Sequence, residues 1–202
     1  QALEIAVDGP QRTEFLVLIY RTKLQNNFAD EILRVTLKSE WERFKGESAG
    51  FNFALEYASV LNALNRPKEA VAVIESQLNL ITDKNPDKKP DLLLALGLLD
   101  QDPNSKKGNQ ALEQLVERSD NVALAKAGLR ILASRFDPRK DNVAYIAFVD
   151  SLLTSSSPHP LRENLLLVGA QAALGLGDNE KVELYCSRLM QEFPASPWKI
   201  DA

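Results

Sequence analysis

The chain has 202 residues, of which 45% are hydrophobic and 26% charged, a balance that supports a packed core and excludes a disordered chain. Its formal charge of -4, with a pI near 5.2, leaves no net basic field for a phosphate backbone to meet, so nucleic acid is not expected as a partner. A single cysteine, Cys186, allows no intrachain disulfide, and a single histidine, His159, removes most zinc-binding and histidine-based catalytic arrangements.

Apolar residues recur at helical spacing through nearly the whole chain, and the period-two alternation of a half-buried strand is scarcely found, so the expected class is all-α. Gln1 to Val7 reads as the end of an earlier helix. After Gly9-Pro10 the pattern predicts helices over 11–26 and 28–45, parted at Asn26-Asn27. Gly46 to Gly50 breaks the chain before 51–64, and Asn65-Arg66-Pro67 separates that helix from 67–82. Asn85-Pro86 and Pro90 introduce 90–101, and Asp102-Pro103-Asn104 introduces 107–119. Helices over 121–135 and 139–155 flank Asp137-Pro138; Ser155 to Pro160 opens onto 160–175, and Gly177-Asp178 onto 178–193. Ser196 to Ala202 reads as the beginning of a further helix. The incomplete helices at both ends, with Gln1 at the start and no signal-peptide pattern, give the expectation of a processed chain or an array cut from something longer. No apolar run approaches the roughly 20 residues that a membrane-spanning helix needs.

Ten helices taken in alternation make five hairpins, 11–45, 51–82, 90–119, 121–155 and 160–193, read as one array over 1–202. Their starts lie on the order of 30 to 40 residues apart, a spacing that implies a solenoid and not a closed bundle. Two segments carry a finer pattern. Leu55-Glu56-Tyr57-Ala58 through Leu61, followed by Asn65-Arg66-Pro67-Lys68-Glu69-Ala70, Ile74 and Leu78, resembles a tetratricopeptide repeat. Leu166, Gly169, Ala170 and Ala173, followed by Gly177-Asp178-Asn179-Glu180-Lys181-Val182, Leu189 and Pro194, resembles one again.

The resemblance implies a right-handed α-solenoid of about five antiparallel helix pairs, in which a small residue on each first helix lets the second approach closely. The pairings expected are Ala58 with Ala70, Gly97 with Ala111, Gly128 with Ala144, and Ala170 with Val182. The first hairpin departs most, carrying Ile19 and Tyr20 where a small residue is expected. The closing run Leu189-Met190-Gln191-Glu192-Phe193-Pro194-Ala195-Ser196-Pro197-Trp198 is similar to the joint between repeats in bacterial envelope tetratricopeptide proteins. That similarity points to a bacterial source and to the periplasm or envelope, with the cytoplasm left open.

Family resemblance also implies that the first helices line a concave groove holding a partner peptide or helix. Carried over by position, the groove residues are Asn52, Leu55, Ser59 and Asn62; Asp91, Leu94, Leu98 and Gln101; and Asn164, Leu167, Gln171 and Leu174. Amide and aliphatic side chains alternate there, which suits a backbone to be hydrogen-bonded and apolar area to be buried. The alternative for any one of these leucines is ordinary core. The carboxylate clamp of the chaperone-binding branch would use Lys, Asn and Arg, but the matching positions hold Leu55, Glu56 and Ser59, and Leu167, Val168 and Gln171. A chaperone adaptor of that type is not expected.

Asp100, Asp102 and Asn104 follow the opening spacing of a calcium loop, yet Ser105 stands where glycine is needed and Ala111 where a bidentate glutamate is needed, so a helix-capping turn is expected. His159, between Pro158 and Pro160, reads as a solvated loop imidazole, and Cys186 as a buried structural thiol. Gly175-Leu176-Gly177-Asp178 follows no strand and is a turn, not a phosphate loop. Lys84, Lys88, Lys89, Lys106 and Lys107 read as solvated loop charges. Trp41, Phe44, Tyr20 and Phe15 read as aromatic core of the first hairpin; an exposed Trp41 would instead be a contact hot spot. No nucleophile, oriented base and charge-stabilising donor can be assembled from one histidine and one cysteine, which leaves carboxylate-only chemistry as the enzymatic alternative. The expectation is a non-catalytic protein-protein interaction scaffold with protein partners and no cofactor, metal or small-molecule substrate. The alternative is a structural subunit of a larger assembly, such as a bacterial envelope or secretion-complex lipoprotein, using its convex face or ends.

Overall fold

The computed structural model describes residues 10–26, 28–82, 86–102, 105–118, 120–135, 142–155 and 158–200. These residues form ten α-helices and no strand: α1 (Pro10–Gln25), α2 (Glu31–Arg43), α3 (Ser48–Ala63), α4 (Pro67–Leu78), α5 (Lys89–Leu99), α6 (Lys107–Arg118), α7 (Val122–Arg135), α8 (Asn142–Leu153), α9 (Arg162–Leu176) and α10 (Asn179–Glu192). Each falls within a few residues of its expected span. Pro86–Lys88 and Pro197–Ile200 are short 3-10 turns, the latter where a further helix was expected to begin. Gln1 to Val7 lies outside the described residues. The chain divides into two compact units, Gln1–Ala111 and Leu112–Ala202, with the division falling inside α6.

In the first unit α3 is the centre. It packs against α1, α2, α4 and α5, and is buried on several sides through Phe51, Phe53, Ala54, Ala58 and Leu61. Ala70 and Ile74 of α4 and Leu92 of α5 are likewise fully buried. Because α1, α3 and α5 are the first helices of successive hairpins, their mutual packing sets those helices side by side, as stacking of repeats requires. Glu56 on α3 is a buried charge, and Arg21 Nε of α1 donates to its Oε1 at 2.8 Å, which offsets its loss of water. Asp30 starts α2 by accepting from the Leu33 N–H at 2.7 Å, and Pro67 opens α4 at a position where its missing N–H costs nothing. Between α2 and α3 the chain crosses itself so closely that a Cβ on Gly50 would lie 2.1 Å from the Phe44 carbonyl oxygen.

In the second unit α9 packs between α8 and α10. Tyr185 of α10 is wholly buried, and its ring lies 3.1 Å from where a Cβ on Gly169 would stand, with Val149 of α8 at 3.2 Å. Gly128 of α7 sits against α6, a Cβ there meeting Leu115 at 3.1 Å.

These contacts revise part of the small-residue reading. Ala58, Ala70, Gly97 and Ala111 are all buried, as expected. Ala144, however, is exposed, and Gly128 makes room for the preceding helix α6 instead. In α9 the residue that admits α10 is Gly169 beneath Tyr185, while Val182 is only half-buried. One position of register turns a side chain by about 100°, so a correct helix assignment still leaves the facing residue open.

The α3–α4 and α9–α10 connections share one geometry. Asn65 and Gly177 adopt left-handed backbone, with φ of 59° and 74°. The next N–H reaches back five residues, Arg66 to the Leu61 carbonyl at 2.8 Å and Asp178 to the Ala173 carbonyl at 3.0 Å, which satisfies helix-end carbonyls. Asp178 then caps α10 by accepting from the Lys181 N–H at 3.1 Å. The two segments with the clearest repeat pattern therefore share a turn as well.

Candidate functional site: the outward face of the first helices

On α3, Asn52 and Leu55 are half-buried and Ser59 and Asn62 exposed, while the intervening Phe53, Ala54, Ala58 and Leu61 are buried. On α5, Asp91 is exposed, Leu94 half-buried and Leu98 48% exposed, beside buried Leu92, Leu93 and Leu96. On α9, Asn164 and Leu167 are half-buried, Gln171 is exposed and Leu174 is 66% exposed, beside buried Leu165, Leu166, Gly169, Ala170 and Ala173. Gln101 is exposed but lies past the end of α5, where its amide donates to the Leu98 carbonyl at 3.1 Å. None of the twelve positions is fully buried. The α3 and α5 residues belong to helices in mutual contact; those of α9 belong to the second unit.

The accessible stripes, each taken by itself, can offer mixed chemistry. Asn52, Asn62, Asn164 and Gln171 carry both donors and acceptors, Asp91 only acceptors, and the leucines apolar area. Ser59 donates its hydroxyl hydrogen to the Leu55 carbonyl at 2.9 Å, so toward a partner it is an acceptor.

A cleft of about 700 Å³ opens beside Asn52, walled by α1 and α2 through Arg12, Val17, Glu40, Arg43 and Phe44. Sequence reasoning missed it because the first hairpin, which builds most of it, departs furthest from the repeat pattern. Glu40 Oε2 is buried in this region without a hydrogen-bond partner. The Tyr20 hydroxyl nearby has its pKa raised, first by burial and then by the Glu40 charge.

The remaining candidates have structural employment. Asp100 Oδ2 accepts from Ser105 Oγ at 2.6 Å and from the Gly108 N–H at 2.8 Å, so it caps α6 from the end of α5. Asn104 and Lys84 lie outside the described residues. Lys107 pairs with Glu75 at 2.6 Å and Lys88 with Asp87 at 3.4 Å, both at the surface. Trp41 is buried and its Nε1–H donates to Gln77 Oε1 at 2.8 Å, which makes it core and not an exposed anchor. Phe44 is half-buried and stacks on Phe53 at 5.6 Å, but Phe15, expected in the core, is 42% exposed.

His159 also departs from expectation. Its imidazole is half-buried and bonded on both nitrogens, Nε2 lying 2.9 Å from the Val116 carbonyl and Nδ1 accepting the Leu161 N–H at 3.1 Å. This is the pattern of an Nε2–H tautomer bridging the start of α9 to α6, with neither nitrogen left to act as a base. Cys186 is buried, and burial raises its thiol pKa, as fits an inert structural cysteine. Asp150 of α8 receives Lys181 Nζ at 2.6 Å and the Tyr185 hydroxyl; burial, then the hydrogen bond to Asp150, raises the tyrosine pKa. Among the described residues no group of His, Cys, Asp and Glu is placed to hold a metal ion, and no helix is long and apolar enough to cross a membrane.

No protein-family model matches the chain, and no curated protein matches it. Solved structures do. A Podosopora anserina chain of nearly identical TPR-like repeats, assigned to the kinesin light chains, superposes with a TM-score of 0.59 at 16% identity, covering 93% of this chain and 99% of its own. A single-substitution variant of it gives the same score and identity over 95% and 100%. At that identity the likeness is one of fold. The fold is that of a TPR-like helical repeat, an all-α solenoid.

Proposed function

We propose that this chain is a non-catalytic scaffold that holds a protein partner, as a peptide or amphipathic helix, against the accessible stripes of its first helices. The observation that supports the reading best is the division within α3, α5 and α9: one stripe of each helix is packed away, while the stripe carrying Asn52, Asn62, Leu98, Asn164, Gln171 and Leu174 stays accessible. Leucines spaced a helical turn apart among amides suit a partner that buries apolar side chains and still needs its polar atoms satisfied. The employment of His159, Cys186 and Asp100 in packing and capping, described above, removes the side chains that chemistry would have used first.

The test is capture of partners from the source organism with the wild-type chain and with a Leu98→Glu, Leu174→Glu double variant. Both leucines are well exposed, so the variant should keep its helicity by circular dichroism. Loss of the captured protein with helicity intact is the expected result; undiminished capture would place recognition elsewhere. A second reading, a structural subunit of a larger assembly that uses its convex face or ends, is favoured by the exposed apolar Ile32 and Val35 of α2.

A further inference from the structure

We draw no further inference here: the strongest candidate, the cleft of about 700 Å³ walled by α1, α2 and the start of α3, mixes charges of both signs (Arg12 and Arg43 with Glu14, Glu40 and Glu47) around a Glu40 that is only half-buried, and nothing in the structure shows what fills it.

Discussion

Gly50 shows how one missing side chain can decide whether two helices join. The atom nearest to a Cβ there is the Phe44 carbonyl oxygen, at 2.1 Å, and backbone has no rotamer by which to yield. Gly50→Ala should therefore cost about 3 kcal/mol, at the upper end of overpacking effects. Gly46 is a contrast: its φ is +92° but nothing lies within 4 Å, so Gly46→Ala should cost only about 1 kcal/mol of backbone strain. Urea unfolding of the two variants measures the difference, and equal losses would contradict the steric account. At this scale the sequence is least legible. That Gly169 would be small could be read from the repeat pattern; that Tyr185 would fill the space could not, because register and not composition chooses the facing residue. His159 was misread for a related reason. Two flanking prolines argue for a loop, but nothing local shows that the Val116 carbonyl, 43 residues away, will accept its hydrogen bond.

Elements were legible where breakers are chemically specific. Asn65-Arg66-Pro67 and Gly177-Asp178 combine a residue tolerant of left-handed backbone with a helix-starting residue, and both turns form as read. Asp178→Ala should cost about 1 kcal/mol by removing the acceptor for the Lys181 N–H, seen as a lower urea midpoint at unchanged slope. Longer-range ties escape such reading. Arg162 opens α9 and bonds Glu192 at the end of α10 and, at 3.1 Å, the Leu153 carbonyl at the end of α8. Hydrogen bonding from Arg162, with Arg188 adding to it, lowers the Glu192 pKa. A carboxylate lowered in the folded state stabilises above its unfolded value and loses that contribution as pH falls through its folded one. The stability gap between wild type and Glu192→Gln should thus be steady at neutral pH and close on acidification through about pH 4.3, where the unfolded-state group is half protonated, and below. A gap that persisted at pH 2 would dissociate it from this ion pair.

For the whole molecule, the class and the number of helices among the described residues were legible because period and breaker spacing are properties of the sequence itself. The exposure of Ile32 and Val35 on α2 was not, because helical periodicity marks an apolar stripe without saying whether anything meets it. In a stacked array, stability passes between neighbours, so damage should stay near its origin. Gly169→Val, which crowds Tyr185 and Val149, should speed amide hydrogen exchange in α8, α9 and α10 while leaving α3 and α4 nearly as protected as before. Uniform loss of protection would show a single cooperative body instead.

The two tryptophans fall one in each unit and in opposite surroundings. Trp41 is 8% exposed and hydrogen-bonded within the first unit; Trp198, in the second, is 40% exposed. Their fluorescence should separate into a blue component that acrylamide scarcely quenches and a red one that it quenches readily. The wild-type chain thus carries a native optical label on each unit, and the order in which the units melt can be followed by colour with no dye attached.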